Sequence, residues 1–161
     1  MSYIYTLNQL KKLIDLEPEK WRPLVLTNGC FDLLHVGHLR YLKEAKSFGK
    51  KLIVGLNSDR SVKMIKPQDR FGVNRPIISE THRAEMLTQL KPVDGVIIFE
   101  ESTASDLIYI LQPDFYVKGG DYTLETLPET PSVQAYGGEI KIIEIVISNS
   151  TSNIIQKILG K

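Results

Sequence analysis

One cysteine in 161 residues excludes an internal disulfide and favours a reducing compartment. No apolar run approaches the roughly 20 residues that a membrane-spanning helix needs. The N-terminus lacks the basic stretch and long apolar run of a secretory signal. Charge of one sign is also lacking: 20 basic and 19 acidic residues leave a formal net charge of +1. That balance gives no ground for a nucleic-acid or membrane-surface partner, so any anion must be held by a local site. Two phosphate-binding signatures are absent as well. Without a Gly-x-Gly-x-x-Gly run the chain is a poor candidate for a dinucleotide-dependent oxidoreductase, and without Gly-Lys-Ser/Thr it has no Walker-type loop. No internal repeat is found. What is present, 42% hydrophobic and 24% charged residues, is the composition of a globular chain. The expectation is a cytoplasmic, single-domain protein, with residues 1–22 as a helical lead-in and 23–161 as the core.

Short apolar runs alternate with helical patterns along the chain. Thr6-Leu7-Asn8-Gln9 has the form of a capping box ahead of a helix that the Glu17-Pro18 step stops near Leu16. Buried strands are expected at Leu24–Thr27, Leu52–Leu56, Gly95–Phe99, Asp114–Val117 and Glu139–Val146. Helices are expected from near Gly37 to Gly49, from a Ser58 cap to about Ile65, over Glu80–Leu90 and Thr103–Leu111, and from a Ser150 cap through Leu159. Residues 66–75 and 121–131 read as loops. Strands apolar on both faces and alternating with helices predict an α/β, Rossmann-like, doubly wound parallel sheet of five strands. In such sheets, ligands bind beyond the carboxyl ends of the strands.

The residues after the Leu24–Thr27 strand suit a polyphosphate. Gly29 permits a sharp turn and close backbone approach, and the helix that follows offers unpaired N–H groups at its start. His35 and His38, three apart, share one face of that start, with Gly37 between them leaving room for phosphate oxygens. Two imidazoles there can donate hydrogen bonds to oxygens whose charge grows in a transition state. Zinc binding by these histidines would call on Cys30 and Asp32, but no second Cys or His cluster supports it. The plainest alternative is a helix start with no ligand at all.

The run Cys30-Phe31-Asp32-Leu33-Leu34-His35-Val36-Gly37-His38 resembles the His-x-Gly-His signature of the nucleotidyltransferase superfamily. That group includes cytidylyltransferases for glycerol phosphate and phosphocholine and adenylyltransferases for sugar phosphates. Further runs follow in order: Asn57-Ser58-Asp59-Arg60, Arg75-Pro76, Glu80-x-x-Arg83-Ala84, Lys118-Gly119-Gly120-Asp121-Tyr122 and Ser150-Thr151-Ser152. From Pro23 to Leu159 this order is similar to the adenylyltransferase domain that makes ADP-heptose from D-glycero-D-manno-heptose 1-phosphate. The Lys118–Tyr122 run is its most discriminating piece. Two departures stand out: Pro67 to Asn74 separate Lys66 from Arg75-Pro76, a longer insertion than the family usually has, and the last run has Ser152 where Thr is more usual.

The resemblance implies His35, His38, Lys66 and Lys118 as catalytic residues. Asn28, Gly29, Cys30, Phe31, Gly119, Asp121, Ser150 and Thr151 would join the histidines around the nucleotide. Asp32, Asn57, Asp59, Arg83 and Lys118 would meet the second substrate; for Arg83 a surface ion pair is the competing reading. ATP would come with Mg2+, and no side-chain metal site is expected, Asp32 being the one candidate ligand. His82 is read as a surface residue and Trp21 as packing. A homodimer is implied. The heptose enzymes often carry a fused sugar kinase, for which this chain has no room, so any kinase would be a separate protein. CTP with glycerol 3-phosphate, and a nucleotide-binding module without catalysis, remain the competing readings of function.

Overall fold

In the computed structural model, which describes residues 3–145 and 150–161, all sheet pairings are parallel. The strands are β1 (Tyr3–Ile4), β2 (Leu24–Gly29), β3 (Lys51–Asn57), β4 (Gly95–Phe99), β5 (Phe115–Gly119) and β6 (Glu139–Ile143). Their order is β1-β4-β3-β2-β5-β6, so among the described residues the sheet has six strands and not the five expected. The extra one, β1, is two exposed residues paired to Gly95 and Val96 of β4, too short to carry a periodic pattern. Residues 3–22, expected as a lead-in, therefore supply an edge strand, and Leu10, Ile14 and Trp21 enter the core. Val146, the last residue expected in the final strand, lies outside the described residues.

The helices are α1 (Leu7–Leu16), α2 (Pro18–Trp21), α3 (Val36–Ser47), α4 (Asp59–Ile65), α5 (Glu80–Thr88), α6 (Ser105–Leu111), α7 (Thr130–Gln134) and α8 (Thr151–Ile158). Local chemistry sets several of their starts. Thr6 and Gln9 form the capping box of α1, Ser58 Oγ accepts the Ser61 N–H at 3.0 Å, and Ser150 Oγ accepts the Asn153 N–H at 3.1 Å. Alternation along the strands feeds two cores. Leu24, Leu26, Ile53 and Tyr116 pack beneath α1, α6 and α7, while Val25, Leu52, Val54, Leu56 and Val117 pack beneath α3 and α5. Trp21 is buried against Tyr5, as a packing residue. Among the described residues, no helix is long and apolar enough to cross a membrane.

This topology fixes where a ligand can go. From β2 the chain winds outward through β3 and β4, then crosses back to β5 and β6 on the other side. The winding reverses between β2 and β5. The loops leaving their carboxyl ends diverge there and open a crevice.

Candidate active site

An open cavity of about 600 Å³ lies at that reversal point. It gathers Asn28, Gly29, Cys30, Phe31, Asp32, His35 and His38 from β2 and its loop, Lys118 and Gly119 from β5, Lys66 from the end of α4, and Ser150 and Thr151 from the start of α8. Twelve residues singled out in the sequence thus come from four separate segments to one place.

The β2 loop owes its shape to a strained residue. Phe31 sits at φ 45°, a left-handed conformation costly for a residue with a side chain. The reversal folds its ring back over Gly29, where an added Cβ would come within 2.9 Å of the ring, and against His38, with ring centroids 5.2 Å apart. Asp32, next in the chain, is buried. Its carboxylate accepts Arg75 Nε at 2.5 Å and the backbone N–H groups of Ile77 and Ile78 at 2.9 Å. These bonds anchor the loop to the segment before α5 and leave Asp32 poorly placed to ligate a metal or bind substrate. Among the described residues there is no group of three or more His, Cys, Asp or Glu side chains that could hold a metal ion.

His35 and His38 cap α3 reciprocally. His35 Nδ1 accepts the Gly37 N–H at 3.1 Å, and His38 Nδ1 accepts the His35 N–H at 3.4 Å. An Nδ1 that accepts leaves the imidazole proton on Nε2, so the helix start selects the tautomer of both rings. The rings lie 3.9 Å apart, centroid to centroid, tilted by 30°. Burial, and then the neighbouring His35 and Lys66, push His38 down to about 4; burial pushes His35 down as well. At neutral pH both are uncharged Nε2–H donors.

A titration follows from this. The folded His38 resists protonation while the unfolded chain accepts it near the ordinary 6.5, so stability is present above pH 6.5 and lost as pH falls towards 4. The expected loss from this residue is on the order of 2 kcal/mol after allowance for partial solvent screening. Imidazole NMR should show the His38 midpoint near 4, and urea unfolding at pH 7 and pH 4.5 should show the loss; a midpoint near 6.5 would contradict the assignment.

The cationic side of the cavity has two lysines. Lys118 Nζ lies 3.3 Å from Asn28 Oδ1, which also accepts the Tyr116 hydroxyl at 2.6 Å, and 5.7 Å from the Tyr122 ring centroid. Burial pushes the Lys118 ammonium below its ordinary value, Glu129 and Cys30 push it back up, and Lys66 pushes it down again. Lys66 is exposed at the end of α4 and close enough for its charge to act on both His38 and Lys118. The starts of α3 and α8 add partial positive charge, and Thr151 Oγ1, at 3.4 Å from the Leu33 carbonyl, ties the two together. In a chain of net charge +1, two lysines and two helix starts thus gather positive charge at one crevice.

Four expected contacts are not at the cavity. Arg83 is fully buried, not a surface ion-pair residue, and does not line the cavity. Its Nε donates to the Ile78 carbonyl at 2.8 Å, its Nη1 to the carbonyls of Cys30 and Asn57 at 2.6 and 2.8 Å, and its Nη2 to Asp59 at 2.7 Å. Asp59 Oδ1 also takes the Glu80 N–H at 2.8 Å, and Asn57 Nδ2 bonds Ser61. Asn57, Asp59 and Arg83 therefore brace the cavity loop from behind. Asp121 is exposed and off the cavity, because Gly120 at φ 109° turns the chain so that Tyr122 lines it instead. His82 is exposed, as expected.

Other lining residues carried weaker signals. Tyr41, one turn after His38 on the same face of α3, bonds Thr27 and the Val117 carbonyl. Gln68, Asp69 and Arg70 come from the loop after Lys66, which is an ordered hairpin. Asp69 Oδ1 accepts the N–H groups of Phe71 and Val73, a bridge joins Gln68 to Asn74, and Arg70 reaches Gln156 of α8 at 2.7 Å.

Known proteins resemble this one closely. The model of the family described as cytidylyltransferase-like matches residues 26–157. The bifunctional protein HldE of Geotalea uraniireducens is 48% identical over 155 residues, covering 96% of this chain and 31% of that protein. That of Syntrophotalea carbinolica is 44% identical over 160 residues, 99% of this chain and 32% of that one. The chain thus spans about a third of the length of the curated relatives it matches. Among solved structures, the lipopolysaccharide core biosynthesis protein from Thermoplasma volcanium superposes with a TM-score of 0.62 at 28% identity, over 78% of this chain and 97% of that one. Pantothenate synthetase from Thermus thermophilus, at 14% identity and a TM-score of 0.55 over 90% of this chain and 61% of that one, shares the fold.

Proposed function

Because the chain belongs to the cytidylyltransferase-like family, we propose that it transfers AMP from ATP to a sugar 1-phosphate, a heptose 1-phosphate in particular, releasing pyrophosphate. The observation that carries the reading is the pairing of two neutral imidazoles of fixed tautomer with two lysines from other segments, all around one crevice at the strand reversal. The HldE relatives and the Lys118–Tyr122 run support the heptose.

An oxygen of the sugar phosphate attacks the α-phosphorus of ATP and a new P–O bond forms. The bond from the α-phosphorus to the oxygen bridging to the β-phosphorus breaks, and pyrophosphate leaves with that electron pair. No covalent enzyme intermediate is needed. The protein must hold two mutually repelling anions in line and offset the charge that develops. His35 and His38 donate from Nε2 to the triphosphate and leaving group, Lys66 and Lys118 neutralise phosphate oxygens from either side, and Ser150 and Thr151 hold phosphate at the start of α8. Magnesium would come with ATP and would supply charge neutralisation, with no side chain of this site assigned to hold it.

The experiment is a matrix of ATP and CTP against heptose 1-phosphate, other sugar 1-phosphates and glycerol 3-phosphate, read as pyrophosphate release. The expected result is magnesium-dependent release with ATP and heptose 1-phosphate. Faster release with CTP and glycerol 3-phosphate would replace this substrate assignment, and binding of nucleotide without release in any combination would leave a non-catalytic module.

A further inference from the structure

The two lysines are not the whole of the positive charge at the cavity. The hairpin that follows Lys66 carries Arg70, which lines the same cavity as His35, His38 and Thr151 but has no part in the reaction described so far. Its position is set from two sides. On its own segment, Asp69 Oδ1 accepts the N–H groups of Phe71 and Val73, and the Arg70 guanidinium carbon lies 4.8 Å from the centroid of the Phe71 ring. On α8, Arg70 Nη2 donates to Gln156 Oε1 at 2.7 Å and to Asn153 Oδ1 at 3.4 Å, two acceptors that share one face of the helix.

Those contacts fix the side chain without neutralising it. Both acceptors on α8 are amide oxygens, and among the described residues no carboxylate pairs with Arg70. A guanidinium also carries N–H donors on Nε and Nη1, and these have no acceptor among the described residues. The side chain is therefore ordered before any ligand arrives, and a phosphate that meets it has less rotamer entropy to offset. Depth matters as well. His38 and Lys118 are half-buried, while Lys66, Arg70 and Ser150 are exposed at the rim. In a transfer at the α-phosphorus, the second anion must be met among the inner groups, and pyrophosphate must depart to the open side.

We propose that Arg70 is a nucleotide-binding residue: its guanidinium, pinned to α8 by Gln156 and Asn153, takes the β- and γ-phosphates of the nucleotide at the rim and holds them as pyrophosphate leaves. The assignment rests on the reading of the chain as a nucleotidyltransferase. Ser150 Oγ accepts the Asn153 N–H at 3.1 Å, so the guanidinium is tied to the same turn of α8 that carries Ser150 and Thr151, and an anion held there lies beside it. As pyrophosphate separates, charge moves onto its oxygens, and Arg70 offers a fixed counter-charge to them. Its charge also does not depend on its surroundings as that of Lys118 does. Burial pushes the Lys118 ammonium towards its neutral form, whereas a guanidinium stays protonated.

The test is Arg70→Gln, which removes the charge, beside Arg70→Lys, which keeps it, and Gln156→Ala, which cuts the tether alone. Replacing an exposed side chain should leave the melting temperature nearly unchanged, so the affinities report binding and not folding. Calorimetry without sugar phosphate should show R70Q binding ATP and pyrophosphate about tenfold more weakly than the wild type, with AMP changed by about twofold at most. R70K should recover part of the loss, and Q156A should lose about threefold at most. In turnover, the KM for ATP should rise about tenfold in R70Q with kcat falling by less, and pyrophosphate should become a weaker product inhibitor. Wild-type affinity of R70Q for pyrophosphate would overturn the proposal. So would an equal loss for AMP, or a loss in Q156A as large as in R70Q, which would leave Arg70 a tether only. A wild-type protein that binds neither ATP nor pyrophosphate would overturn it together with the reading of function. If the wild type binds both but transfers no nucleotide, only the reading of function fails, and the affinities still decide the role of Arg70.

Discussion

His38→Ala should lower turnover by roughly 10²–10³-fold while the protein stays folded. The loss comes from one Nε2–H donor aimed into the crevice, a donor that needs no reorientation because its own Nδ1 is engaged by the His35 N–H. Alanine removes that donor and, from the α3 cap, the acceptor of the His35 N–H. The cap costs about 1 kcal/mol, a fall in melting temperature of about 2–4 °C for a chain of this size. The two effects are therefore separable: thermal melting reports the cap, and pyrophosphate release reports the donor. A variant that melts slightly early but turns over near the wild-type rate would remove His38 from the chemistry.

Arg83→Ala has the largest expected effect on stability, about 4 kcal/mol, a sizeable share of the 5–15 kcal/mol typical of a folded domain. The guanidinium serves three carbonyls and the Asp59 carboxylate from a fully buried position. Its removal leaves buried acceptors without donors, an unpaired carboxylate and a void. Arg83→Lys should recover little, since one ammonium cannot span acceptors on four residues. Urea unfolding measures the effect directly. A substrate-binding arginine would behave differently, raising KM and leaving the unfolding free energy nearly unchanged; that outcome would contradict the structural role.

These two residues also show what could be read along the chain. His38 declares itself through neighbours in sequence: a strand end, a glycine, a second histidine three residues away and a helix start. The caps at Thr6, Ser58 and Ser150 were legible for the same reason, because a cap is a bond between residues three apart. Arg83 instead bonds residues up to 53 positions distant, and no local pattern distinguishes such an arginine from a solvated one. β1 escaped because two residues have no period, and α7 because a five-residue helix inside a polar loop gives only Pro131 near its start as a signal. The hairpin after Lys66 was hidden likewise, since the bonds of Asp69 to Phe71 and Val73 resemble any polar turn until Arg70 is seen to reach α8.

The site is therefore a local motif supported by long-range polar contacts: the motif names the chemistry, and Asp32 and Arg83 hold it in place.

In the proposed reaction the bond broken is the one at the α-phosphorus. Phosphorus NMR of the protein with magnesium, ATP and heptose 1-phosphate tests it most directly. The expected spectrum loses the ATP and sugar-phosphate signals together, while the paired signals of an ADP-sugar and the single signal of pyrophosphate rise in equal amounts. ADP with orthophosphate or a doubly phosphorylated sugar would place the break at the γ-phosphorus instead and would contradict it.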